Sequence, residues 1–186
     1  DCGFREKGNA SNSLTSFGRK KPLKISFDEY VNNQELDGLE KLNLNNFTND
    51  PSLLHDAICL KLCRDAGLLA PRTAFTKVFV NGEYIGLYVA IENVDKTFLK
   101  FTYGSANNDG NLYKTDRGAS VTLEWLGPES GAYKEVGMKL TTNESVDDWS
   151  RLISFIDNLN HNYDANFKDY LETNFDIHSY LKILAI

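Results

Sequence analysis

Cysteine and histidine are the residues of this sequence with the widest chemistry, because they supply metal ligands and nucleophiles. The chain has three of each. Cys59 and Cys63 stand four apart in a helical pattern, on neighbouring turns of one side, which favours ordinary buried thiols. Finger-like CxxC or HxxxH spacings do not occur, so we expect no structural zinc site. No GxSxG motif occurs and no histidine has a partner signature, which disfavours a hydrolase.

The charge balance and the hydropathy of the sequence disfavour two kinds of partner, nucleic acids and membranes. The chain has 20 Lys and Arg against 26 Asp and Glu, a net charge of -6. This balance provides no basic field for a phosphate backbone, so we expect no nucleic-acid polymer as a partner. No apolar run approaches the roughly 20 residues that span a bilayer, so we expect no membrane insertion. Helix capping and solvation account for the later aspartates, Asp147, Asp148, Asp157, Asp164, Asp169 and Asp176.

Alternation of apolar and polar residues predicts strands in the first two thirds of the chain. Residues 22–27 alternate with a period of two, the pattern of a half-buried strand. Two runs of β-forming residues, 73–80 and 83–91, flank Asn81-Gly82. This dipeptide predicts a hairpin, because both turn positions need positive φ. Further strand-like pieces lie at 112–114 and 121–125.

Helical spacing occurs once between these strands and dominates the last part of the chain. Asp50 before Pro51 suits a helix start and Gly67 a helix end, so we predict a helix from about Pro51 to Ala66. From residue 146 onward the apolar residues keep helical spacing. This order indicates an α+β protein that folds as two lobes, 1–145 and 146–186. The sequence ends within an apolar helical pattern, so we expect a further segment after it.

An ordered set of short motifs extends over nearly the whole chain. The motifs are Gly8-Asn9-Ala10-Ser11, Lys20-Lys21-Pro22-Leu23-Lys24, Asn43-Leu44-Asn45, Asp50-Pro51-Ser52, Asn81-Gly82-Glu83-Tyr84, Gly86-Leu87-Tyr88, Glu92-Asn93-Val94-Asp95 and Gly110-Asn111-Leu112-Tyr113-Lys114. In this order they resemble the spore-coat-protein-H (CotH) kinase family. The resemblance implies a protein-kinase-like fold, with an antiparallel β-rich N-lobe and one main helix, followed by the helical start of the C-lobe. It also implies transfer of the ATP γ-phosphate to Ser or Thr of secreted, surface or spore-coat proteins.

The resemblance further implies which residues face the nucleotide. The segment from Gly8 to Ser16 would cover the phosphates, because small residues let backbone N–H groups approach them. One lysine of the next strand, Lys20, Lys21 or Lys24, would bring positive charge to the phosphates, and we favour Lys21 and then Lys20. The predicted nucleotide-binding residues are Gly8, Ser11, Lys20, Lys21, Asp56, Glu92 and Lys114.

Each implied role has a simpler structural alternative. Asp56 would orient the lysine, residues 91–94 would form a hinge whose backbone pairs with adenine, and Lys114 would reach the phosphates. Taken alone, however, Lys20 and Lys21 form a solvated charge pair. Glu92 alone would simply begin a short amphipathic helix that contains residues 98 and 99.

The implied cofactors are ATP and Mg²⁺ or Mn²⁺. Kinases hold the metal with carboxylates that follow a long helix of the C-lobe. The resemblance places no such set before Ile186, so we expect the catalytic residues and metal ligands downstream and this fragment alone to be inactive. The implied partner is a protein substrate in a secreted or cell-surface location. The alternatives are a non-catalytic surface adhesin or scaffold module with the same fold, and a carbohydrate-binding module with exposed aromatic residues.

Overall fold

The chain forms two compact units in a computed structural model that describes residues 1–8, 20–116, 119, 121–162, 164 and 166–186. The first unit comprises residues 1–105 and the second residues 106–185. The sequence-based division placed its boundary at 145 instead. Residues 106–145 join the second unit because Tyr133 and Leu140 share one hydrophobic core with Trp149 and Ile156. The assignment of these parts to kinase lobes stays a prediction.

The first unit is built on an antiparallel five-stranded sheet, which confirms the α+β class. The strand order is β1-β2-β3-β5-β4. The strands are β1 (Gly3–Glu6), β2 (Leu23–Ser26), β3 (Lys41–Asn45), β4 (Thr73–Val80) and β5 (Glu83–Glu92). The sequence indicated no strand at β1, because residues 3–16 carry little apolar periodicity. Pairing with β2 forms this short edge strand.

The two faces of the sheet differ in polarity because the side chains of a strand alternate. Leu23 of β2 lies opposite Leu44 of β3, and both are buried with Tyr88 of β5. Lys24 lies opposite Asn43 on the other face. The period-two pattern at 22–27 is therefore confirmed, and β2 and β3 present one apolar and one polar face.

The hairpin between β4 and β5 has the predicted turn. Asn81 and Gly82 have φ values of 51° and 82°, and Val80 pairs with Glu83 across the two-residue loop. Such a turn matches the right-handed twist of the strands that it joins. The register shifts between Val78 and Phe79, which marks a β-bulge.

Helix α1 (His55–Asp65) lies between β3 and β4 and begins later than the sequence predicted. Leu53 has a φ of +61°, so Pro51 to Leu53 form a turn instead of the first helical residues. The predicted end is confirmed. The Gly67 N–H donates to the Arg64 carbonyl and the Leu68 N–H to the Cys63 carbonyl, which is the Schellman pattern with glycine at positive φ.

Helix α2 (Lys96–Tyr103) follows β5 and is capped by a side chain. The Asp95 carboxylate accepts hydrogen bonds from the backbone N–H groups of Thr97 and Phe98, at 3.0 and 3.3 Å. A capping carboxylate also suits the positive end of the helix dipole. The predicted amphipathic stretch is therefore a helix, and Phe98 is its buried residue.

The second unit combines a two-stranded antiparallel sheet with helices. Its elements are β6 (Tyr113–Thr115), α3 (Ser130–Glu135), β7 (Met138–Leu140), α4 (Ser150–His161), α5 (Phe167–Asn174) and α6 (Ile177–Ala185). The helical last part of the chain is confirmed. Among the described residues, no helix is both long enough and apolar enough to cross a membrane.

The strand predicted at 121–125 is wrong. Val121 and Trp125 do pack against the core of the second unit, but the described backbone there joins no strand. The Asn160 side-chain amide donates to the Leu123 carbonyl at 2.8 Å. In a sheet, that carbonyl would accept from the backbone N–H of a neighbouring strand. The partner of β6 is β7 instead.

Tyr88 carries a polar atom that the core leaves unsatisfied. The residue is fully buried, and its hydroxyl has no hydrogen-bond partner among the described residues. We expect Tyr88→Phe to raise the free energy of unfolding by about 1 kcal/mol, because it removes an unpaired buried hydroxyl. Thermal melting followed by circular dichroism would measure the gain.

Tyr133→Phe is the matched control for that variant. Tyr133 is equally buried, but its hydroxyl donates to the Gly127 carbonyl at 3.0 Å and accepts from the Leu126 N–H at 3.2 Å. The same substitution is therefore expected to lower stability by about 1 kcal/mol. A loss of stability in Tyr88→Phe as well would show that its hydroxyl is satisfied in solution.

Candidate functional site

Three cations lie together on the polar face of the first unit's sheet. Arg5 of β1 lies directly opposite Lys24 of β2. Lys7 follows β1 and donates its backbone N–H to the Pro22 carbonyl at 2.9 Å, which extends the pairing of these strands. We call Arg5, Lys7 and Lys24 the basic cluster. Like charges on adjacent strands repel one another, so this arrangement favours a bound anion.

The pKa of Lys7 records this environment. Burial lowers the pKa of the Lys7 ammonium, the charge of Lys24 lowers it further, and the carboxylate of Asp56 opposes both. Arg5 contributes a smaller repulsion. An anion placed among these groups would relieve the repulsion and favour the charged form of Lys7.

Asp56 is held over the same face by the first turn of α1. Its carboxylate accepts a hydrogen bond from the Asn45 side-chain amide at 2.9 Å. Asn45 belongs to β3, on the face that also carries Asn43 and Lys24. The structure therefore brings the predicted residue Asp56 to the basic cluster through β3.

A polar cavity of about 320 Å³ lies between β3, the following turn and the start of α1. It is lined by Lys7, Asn45, Asn46, Phe47, Thr48, Asp50, His55 and Asp56. The turn is fixed by side chains, since Asn46 donates to the Lys20 carbonyl at 2.8 Å and Thr48 donates to Asn46 at 2.7 Å. The cavity thus has rigid polar walls next to Lys7.

Asp50 on the cavity wall holds the start of α1. Burial alone would raise its pKa, but hydrogen bonds from Ser52 and from the His55 backbone N–H outweigh burial, and the pKa lies below its usual range. The His55 N–H lies 2.9 Å from the carboxylate, and the His55 ring nitrogen lies 3.6 Å away. Asp50 is therefore ionised, and its hydrogen bonds stabilise the start of α1.

The segment predicted as a hinge is tied to the basic cluster. The side-chain amide oxygen of Asn93 accepts from Lys24 Nζ and from the Asn43 side-chain amide, each at 3.3 Å. The Asn93 amide in turn donates to Asp95 at 2.6 Å. Since Asp95 also caps α2, these bonds fix the Lys24 ammonium relative to residues 92–95.

The side chain of Glu92 has a structural partner. Its carboxylate is buried and binds the Arg72 guanidinium through two hydrogen bonds of 2.8 and 3.1 Å. The hydrogen bond to Glu92 raises the pKa of Arg72. The contact with Arg72 explains why Glu92 is buried, and no ligand is needed to explain it. The predicted nucleotide role of Glu92 stays a prediction.

Lys20 and Lys21 lie in different surroundings from Lys24. Lys20 Nζ lies 4.8 Å from the Phe47 ring centroid and 5.5 Å from that of Tyr88. Its stem crosses Gly86, where a Cβ would lie 3.2 Å from Lys20 Cε. Lys21 lines a groove with apolar residues that include Leu23. Lys7 lines the cavity at Asp56, whereas Lys20, Lys21 and Lys24 do not.

The remaining predicted residues are placed as follows. Gly8 has a φ of +84°, a backbone conformation that favours glycine. Ser11 lies outside the described residues. Lys114 belongs to β6 of the second unit, opposite Lys139. Their nucleotide roles stay predictions, and no group of three or more His, Cys, Asp or Glu in the described part of the chain is arranged to hold a metal.

Sequence reasoning overlooked Arg5 and Lys7, and it gave Asn93 a role only through the backbone of the hinge. Their proximity depends on strand pairing between segments separated by residues 9–19 and on the turn after β5. One local signal was available, because Lys24 alternates with the apolar residues Leu23 and Ile25 of β2 and so had to lie on the other face.

The chain is thus an α+β protein with a basic cluster on one face of an antiparallel sheet and a helix-borne acid beside it. The chain belongs to the CotH kinase protein family, whose model matches residues 4–186. It is similar to the inner spore coat protein H of Bacillus subtilis (strain 168), with 29% identity over 171 residues. The match includes 90% of this chain and 45% of that relative, so the chain spans less than half of the relative's length.

Proposed function

We propose that this chain forms the nucleotide-binding part of an ATP-dependent Ser/Thr protein kinase. The observation that carries the proposal is the basic cluster, which sets three cations on one sheet face beside Asp56. The family's description as kinases supports the same class of reaction. By analogy with the spore coat relative, the substrates are secreted, surface or spore-coat proteins, and the location is the spore coat or cell surface.

The residues of the basic cluster suit a polyphosphate better than a single carboxylate. Three cations on adjacent strands spread positive charge along the sheet, and phosphoryl transfer depends mainly on such positioning and charge stabilisation. In this proposal Lys7 and Lys24 bind phosphate oxygens and Arg5 adds long-range attraction. Asp56, held by Asn45, attracts the Lys7 ammonium electrostatically.

We assign the base end of the nucleotide to the predicted hinge, residues 91–94. Its backbone N–H and C=O groups would pair with adenine, as the resemblance implies, and the Asn93 side chain is held by Lys24 and Asn43. A divalent metal, Mg²⁺ or Mn²⁺, supplies charge neutralisation when bound. The proposal assigns no metal ligand or catalytic carboxylate to the described residues.

Thermal melting with and without millimolar Mg-ATP tests the nucleotide site. Saturation at about 100 times the dissociation constant adds roughly 2.7 kcal/mol, or about 5 to 10 °C for a chain of this size. We expect Lys24→Ala and Lys7→Ala each to abolish most of this shift, because each removes a phosphate-facing charge. The matched control is Lys21→Ala, which removes the same side chain from a different groove and should keep the shift.

The outcomes separate the competing assignments. Loss of the shift in Lys21→Ala alone would favour the lysine that the sequence analysis preferred and would contradict the basic cluster as the phosphate site. No shift in any form of the chain, repeated with a longer chain of the family, would favour the non-catalytic surface module. Transfer of labelled phosphate to a Ser/Thr protein would establish the kinase activity itself.

A further inference from the structure

Helix α1 carries a pair of thiols that the nucleotide site does not use. Cys59 is exposed and Cys63 half-buried, and neither forms a disulfide. The expectation of buried thiols is therefore wrong for Cys59. The two residues lie one turn apart on one side of α1, and burial raises the pKa of the Cys63 thiol. The pair is open to a ligand from solvent through Cys59.

The helix geometry suits an atom that bridges the sulfurs more than a bond between them. Residues four apart on a helix have Cβ atoms about 5–6 Å apart. A disulfide needs Cβ atoms about 3.5–4.5 Å apart, so closing one here would distort α1. A metal ion between the sulfurs spans the longer distance because two metal–sulfur bonds replace one sulfur–sulfur bond.

The number of donors limits which ion fits. Structural zinc takes four ligands, whereas no group of three or more His, Cys, Asp or Glu around a possible ion occurs within the described ranges. The ring of His55, one turn before Cys59, lies beside the Asp50 carboxylate. Two thiolates alone favour a soft cation that accepts two ligands, and Cu(I) is the physiological ion of that class.

We propose that Cys59 and Cys63 form a two-coordinate thiolate site for Cu(I). On binding, each S–H gives its proton to solvent and each sulfur forms one bond to the ion. The oxidation state of copper does not change and no oxidant is needed. The thiol pair shares no residue with the proposed nucleotide site, so this proposal does not depend on the proposed kinase function.

Anaerobic competition between the chain and the Cu(I) chelator bicinchoninate tests the site. We expect the chain to withdraw one Cu(I) per molecule, with a thiolate-to-copper absorption band in the ultraviolet. Cys59→Ser and Cys63→Ser should each lower the affinity by more than about tenfold, since loss of a ligand costs at least as much as loss of its supporting contacts. Cys2→Ser removes the third thiol and should leave the affinity unchanged.

A relocated thiol tests the geometry at a constant number of cysteines. Lys61→Cys combined with Cys63→Ser places the thiols two residues apart, where helical side chains do not face each other. The exposed Lys61–Asp65 ion pair that this variant loses contributes little to stability, and circular dichroism would verify that α1 is intact. We expect the affinity to fall as in Cys63→Ser. Retained affinity here, loss in Cys2→Ser, or no copper withdrawn by the parent chain would each overturn the proposal.

Discussion

Replacement of Arg72 by alanine is expected to lower the free energy of unfolding by about 3 kcal/mol, because Glu92 would keep a buried charge without its partner. Only 3% of the Glu92 side chain is exposed. The guanidinium also lies 3.8 Å from the Phe101 ring centroid, so a cation–π contact is lost as well. For a chain of this size the melting midpoint should fall by about 6 to 12 °C.

Two further variants separate the charge from the packing at this position. Arg72→Ala combined with Glu92→Gln removes the buried charge too, so we expect a smaller loss than in Arg72→Ala alone. Arg72→Lys keeps a cation but not the planar fork that makes both hydrogen bonds, and should lie between the parent and Arg72→Ala. A parental melting midpoint in Arg72→Ala would contradict the structural role of this ion pair.

Replacement of Trp149 by alanine is expected to cost about 4 kcal/mol, since it empties the centre of the second unit's core. The indole is 3% exposed and its ring centroid lies 5.1 Å from that of Tyr113. Its N–H donates to the Asp147 carboxylate at 2.7 Å. Chemical denaturation followed by circular dichroism would measure the loss, and Trp125 remains as a fluorescent probe.

Trp149→Phe is the control for that prediction. Phenylalanine keeps an aromatic ring in the core and loses the hydrogen bond to Asp147, so we expect a loss of only about 1–2 kcal/mol. Equal losses in the two variants would mean that the hydrogen bond, and not the volume of the side chain, is the main contribution of Trp149.

Elements whose signals are local were predictable from the sequence. The hairpin follows from Asn81-Gly82 alone, and the end of α1 from Gly67, because both depend on glycine or asparagine at positive φ. The start of α1 was missed because the positive φ of Leu53 is enforced by the surrounding turn. Strand β7 was missed because three alternating residues are too few to predict a strand before they pair with β6.

The candidate site was less predictable than the fold. Asp56 was identified through the resemblance. The position of Lys7 beside it, however, depends on the register of β1 against β2. Such pairing joins residues that are distant in sequence, so single-segment patterns do not reveal it. The sequence favoured Lys21 and then Lys20 over Lys24, whereas the alternation of faces in the sheet places Lys24 on the polar face and Lys21 lines a different groove.

The Asp95 carboxylate has two roles, since it both caps α2 and holds the amide of Asn93. We therefore expect fraying of the first turn of α2 to loosen the Asn93 side chain, which accepts from Lys24. Hydrogen exchange at the Thr97 and Phe98 amides would report the free energy of that event. A ligand that binds Lys24 would slow exchange at these amides, although it contacts neither of them.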